Sequence, residues 1–151
     1  MVDEAAFRAA WARLDALPCP FSRALLAGHA DCRHAHRHHL AERVAIGCLE
    51  PSHQVLCAAL LERLRHEARF ALEVSDARGR LTHGQAMKLQ VGCLRGLRRL
   101  LADGAGGDHA GDVTALFAGA LARYDTLDAV PHEAMLREIA RFVPRRSQAG
   151  R

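Results

Sequence analysis

Apolar residues recur at helical spacing along almost the whole chain, and that regularity constrains its folding more than any other feature. Phe7, Ala10, Trp11, Leu14 and Leu17 make one stripe. Cys57, Leu60, Leu61, Leu64, Ala68, Ala71 and Leu72 make a second, the longest and cleanest. Ala86, Leu89, Cys93, Leu97, Leu100 and Leu101 follow, then Val113, Leu116, Phe117, Ala120, Leu121 and Tyr124, then Met135, Ile139 and Phe142. Spacings of three and four bring such residues onto one face of a helix, and that face must find a core. No run alternates apolar and polar residues as a half-buried strand does, and no internal repeat appears.

Start and stop signals punctuate these stripes. Asp3, Asp31, Ser52, Thr82 and Asp112 are placed to cap helices, and Pro20 and Pro131 suit a first helical turn. Leu17-Pro18-Cys19-Pro20 breaks the chain, because each proline turns its predecessor away from helical geometry. Gly28, Glu50-Pro51, Gly79 and the segment from Asp103 to Gly111 are further breaks, and Pro144 ends the last stripe. The pattern predicts helices over roughly 3–17, 20–28, 31–43, 53–74, 82–102, 112–124 and 131–143. Val44 to Leu49, VAIGCL, reads equally as helix or strand. The expected fold is all-α: a compact bundle of five to seven helices in one domain over 1–144, with a flexible basic tail over 145–151.

Composition narrows the function. The chain has 151 residues, half of them apolar and a quarter charged, enough to bury a core without staples. No apolar run approaches the roughly 20 residues of a membrane span. The start, MVDEAAFRAAWARLDAL, lacks the basic and apolar regions of a secretion signal, so a cytoplasmic location with reduced thiols is expected. The net charge of +4 invites nucleic acid. Its arginines are dispersed, however, and one Trp, one Tyr and five Phe leave little to stack on bases, which argues against that partner.

The stretch from Cys19 to Cys57 carries the chemistry, with four of the five cysteines and six of the ten histidines. Paired knuckles of the C-x2-4-C kind, usual in structural zinc sites, are absent, as is a redox-active C-x-x-C. Instead, Cys19, Cys32, Cys48 and Cys57 stand singly near breaks or starts in the helical pattern. Ligands delivered one per element can converge, and a cubane iron–sulfur cluster takes four thiolates at irregular spacing. The plainer reading is that they are core residues, since cysteine behaves as a small, readily buried hydrophobe. Cys93, mid-helix between Leu89 and Leu97, needs no other explanation.

The histidines look like a metal tract but divide on a helix. His34 and His38 share one face, and His36 falls on the Cys32 face, so His36 alone is kept as a substitute ligand or a hydrogen-bond partner of one. No HExxH, phosphate-binding glycine loop or nucleophile elbow appears, so no enzymatic constellation is in view. Gly92 and Gly96, in GCLRG, suggest close approach of a neighbouring helix.

These observations lead to one expectation. The chain is read as a small iron–sulfur protein, [4Fe-4S] preferred, held by Cys19, Cys32, Cys48 and Cys57. Electron transfer or redox or oxygen sensing with a redox or regulatory protein partner would be its role. Zinc is the runner-up metal, and a metal-free or zinc-bound helical interaction module is the alternative.

Overall fold

The computed structural model describes residues 5, 6, 8, 17–74, 79–104 and 107–144. The helix expected over 3–17 lies outside the described residues apart from Ala5, Ala6 and Arg8, and so does the tail over 145–151. In chain order the elements are α1 (Ser22–Leu26), β1 (Ala35–Leu40), β2 (Arg43–Cys48), α2 (Pro51–Glu67), α3 (His83–Leu101), α4 (Val113–Tyr124) and α5 (His132–Arg141).

The all-α expectation is therefore corrected. Five described helices are joined by a two-stranded antiparallel sheet, so the architecture is mixed, and a compact helical bundle is not what it shows. The histidine segment forms β1, not a helix over 31–43. Its register pairs Ala35 with Cys48, Arg37 with Ile46 and Leu40 with Arg43. Three causes are visible. Val44 and Ile46 are β-branched and alternate with Ala45 and Gly47, a period of two hidden because every residue in the run is apolar. His and Arg neighbours in β1 give no apolar stripe to hold a helix against a core. The turn is Ala41-Glu42, with Ala41 at φ 56°, a left-handed position usually marked by Gly or Asn, so no hairpin signal stands in the sequence.

The second edge of β2 is also paired. Cys19 N–H donates to the Ile46 carbonyl at 3.0 Å, and Cys48 N–H donates to the Leu17 carbonyl at 2.8 Å. The proline-flanked segment before α1 thus lies along β2, bridged at Pro18 and Gly47.

The helices match their signals more closely. Thr82 closes a reciprocal capping box with Gln85, and Asp112 caps α4 by accepting from Thr114 N–H at 3.1 Å. Pro51 occupies the first turn of α2. The short α1 has Phe21 at its cap position, which offers no acceptor, and Gln90 of α3 supplies one instead. Its buried Oε1 accepts from the N–H groups of Arg23 at 3.0 Å and Ala24 at 3.2 Å.

Helices α3 and α5 form the tightest crossing. A Cβ on Gly92 would lie 2.4 Å from the Ile139 Cα, and one on Gly96 would lie 2.4 Å from the Met135 Cα. The GxxxG pair is therefore a backbone-to-backbone seat, as its spacing suggested. Against this crossing pack Leu94, Leu97, Val91, Met135 and Ile139, each essentially inaccessible to solvent.

Candidate metal centre

Cys19, Cys32, Cys48 and Cys57 line one hollow, together with Phe21, His53 and Val113. Each thiol arrives on a different segment. Cys19 is set by its pairing to β2, and the Phe21 N–H donates to its sulfur. Cys48 ends β2 on the adjoining position, where its thiol donates to the Glu50 carbonyl at 3.3 Å. Cys57 lies on the second turn of α2, buried, with its sulfur 3.2 Å from the Nδ1 of His53 one turn earlier.

Cys32 comes from the loop before β1, which is tied to the start of α4. Asp31 N–H donates to the Gly111 carbonyl, and the Asp31 carbonyl accepts from Val113 N–H, both at 2.8 Å. Arg33 adds an ion pair to Asp112 at 2.8 Å. Burial acts to raise the Asp112 pKa, but hydrogen bonds from Arg33 and Thr114 outweigh it and hold the carboxyl below its ordinary range. The Cys32 sulfur then lies 3.3 Å from the Thr114 hydroxyl.

The hollow is narrow, about 10 Å³, the space of one water. Among the described residues no three Cys, His, Asp or Glu side chains stand close enough to hold a single ion. The thiols thus bracket a space instead of meeting at a point. All five cysteines are free thiols.

Their acidity follows from that setting. Burial pushes Cys19 from 9.0 up to about 11, with the charges of Cys32 and Cys48 adding to the rise against the Phe21 hydrogen bond. Burial raises Cys57 further, with contributions from Cys19, Cys32, Cys48 and Cys93. Cys19 and Cys57 are therefore protonated at neutral pH in the metal-free protein, and any metal they bind must displace their protons. A thiol whose folded pKa is raised lends stability that is full below pH 9 and lost as pH rises through its folded value. The urea midpoint of metal-free protein is expected to fall between pH 9 and 11, with Cys19 alone worth about 2–3 kcal/mol. In Cys19→Ser the fall should shrink. An unchanged pH profile in that variant would show that Cys19 is not held as described.

His36 is not part of this hollow. It stands exposed on β1 opposite Gly47, its ring 4.3 Å from that of His38 at 83°. The helical argument that aligned it with Cys32 fails because the segment is a strand. His53 takes the place beside the thiols, its ring centroid 5.5 Å from Phe117 and 5.4 Å from His34. Its Nε2 is buried without a hydrogen-bond partner. Sequence spacing could have found it, since His53 and Cys57 are an i, i+4 pair at the start of α2. Cys93 is fully buried in α3 against Met135 and does not line the hollow.

No family model, curated protein or solved structure matches this chain. Among the described residues no helix is long and apolar enough to cross a membrane.

Proposed function

We propose that this chain binds an iron–sulfur cluster, [4Fe-4S] preferred, through Cys19, Cys32, Cys48 and Cys57, and serves electron transfer or redox or oxygen sensing with a protein partner. One observation carries the reading: four thiols from four separate segments line a single hollow. Thiolates are the soft donors that iron–sulfur clusters take, one per iron, so they need not converge on one point. A zinc ion would need its sulfurs about 2.3 Å from one centre, a tighter gathering than the thiols make here. The hydrogen-bond groups around the sulfurs fit a cluster as well. The Phe21 N–H, the Thr114 hydroxyl and the His53 ring stand within reach of three of the four, and such groups tune a cluster's potential. When bound, the cluster supplies one-electron chemistry, and the residues of the chain hold it and limit water around it.

Anaerobic purification followed by iron and acid-labile sulfide analysis tests this. The expected result is brown protein with about four of each per chain, as a cubane requires. One zinc per chain would select the structural-metal alternative. Colourless, metal-free protein that remains folded and cannot be reconstituted with iron and sulfide would leave the cysteines as core packing and the chain as an interaction module.

A further inference from the structure

A second concave site lies at the far end of α3, bounded by the C-terminal ends of α3 and α4 and by one face of α5. It is a cleft of about 400 Å³, within the range of small-molecule sites. Four arginines line it: Arg99, Arg123, Arg137 and Arg141. The two acids in its wall do not balance them. Glu138, buried, receives Arg99 at 2.9 Å and Arg141 at 3.4 Å. Asp103 receives Arg123 at 3.0 Å, and Arg123 also donates to the Leu100 carbonyl at 2.7 Å.

Arg137 has no partner among the described residues and is exposed at the cleft. It stands one helical turn from Arg141 on α5, an i, i+4 pair of like charges that mildly destabilises a helix, and the acid that Arg141 meets, Glu138, is shared with Arg99. Packing does not require this arrangement, because Glu138 is already neutralised by Arg99 and Arg141. Guanidinium forks match the oxygens of a phosphate group, and several converging forks are the usual means of holding one. The wall also offers Leu100 and the half-buried ring of Tyr124, an apolar surface for whatever carries the phosphate.

We propose that this cleft binds a small phosphate ester, with Arg137 and Arg141 on the phosphate and Tyr124 beside the organic part. The site is separate from the thiol hollow and does not depend on a cluster. Titration calorimetry of the full chain tests it, with phenyl phosphate and inorganic phosphate as probes in buffer free of both phosphate and sulfate. The expected result is saturable one-to-one binding, tighter for phenyl phosphate, and weakened roughly tenfold or more in Arg137→Gln, the loss expected for a charge-assisted hydrogen bond. The melting temperature of Arg137→Gln should match the parent's, and Arg80→Gln, an exposed arginine outside the cleft, should bind as the parent does. Equal affinity for the two probes overturns the ester and identifies free phosphate as the occupant. An absence of saturable binding, or undiminished binding by Arg137→Gln, overturns the site.

Discussion

Serine at any one of Cys19, Cys32, Cys48 or Cys57 is expected to abolish stable cluster incorporation, while Cys93→Ser leaves iron and sulfide content at the parent level. The reason is chemical. A serine oxygen is a hard donor that stays protonated at neutral pH, so an iron loses its soft anionic ligand. Cys57→Ser and Cys48→Ser should have the most complete effect, because a strand end and a helix hold those positions. Cys19 and Cys32 are held instead by backbone pairings, to β2 and to the start of α4. The check is iron and sulfide per chain, with the visible absorption of the reconstituted protein. Folding must be read alongside by circular dichroism, since Cys57 is also a core residue. If all four single variants keep full cluster content, the ligand set is wrong. If Cys93→Ser alone loses it, the cluster lies within α3 and not in the hollow.

The second large effect is expected at Gly92 and Gly96. Alanine at either would put a methyl 2.4 Å from the backbone of α5. The obstacle is main chain, not the end of a flexible side chain, so α5 must move as a body. Overpacking in a filled core costs about 1–3 kcal/mol, and a backbone obstacle belongs at or above the upper end. At a few degrees per kcal/mol for a chain of this size, the melting temperature should drop by about 10 °C. Gly84→Ala is the matched control. Its added methyl would meet only the Pro144 side chain, at 3.7 Å, and alanine favours the helix. Gly84→Ala should therefore be neutral or slightly stabilising. Equal losses at all three positions would mean that glycine acts here through backbone freedom and not through the crossing of α3 and α5.

Much of the helical framework was legible because its signals are local. Thr82 with Gln85 and Asp112 before Val113 each act within one turn of the residues they organise. Ser52, expected as a cap, instead lies inside α2, with Glu50 at the cap position and Pro51 in the first turn. The periodic stripes then reach the core wherever the helices meet. The hairpin was not legible, because β1 and β2 stabilise each other only once paired, and their turn carries Ala41 where a Gly or Asn would have announced it. Reading the histidines at helical spacing therefore put His36 beside the cysteines, and strand geometry turned it out to solvent. His53 was overlooked for a different reason. It is one of ten histidines, and only its place against Cys57 and Phe117 separates it from the rest.

By itself the sequence determined where the long helices α3 and α4 begin and that Cys19, Cys48 and Cys57 stand near breaks or starts in the pattern. Helical spacing misread the segment from Asp31 to Arg43 as a helix. Tertiary structure decided that these three cysteines and Cys32 line a common hollow, through pairings such as Cys48 with Leu17 and Asp31 with Gly111 that join distant segments. It also decided that four arginines dispersed from Arg99 to Arg141 face one cleft. The physical reason is range. Helix caps and stripes are short-range interactions written in adjacent residues, whereas a site built from loops and helix ends exists only after the chain has closed on itself.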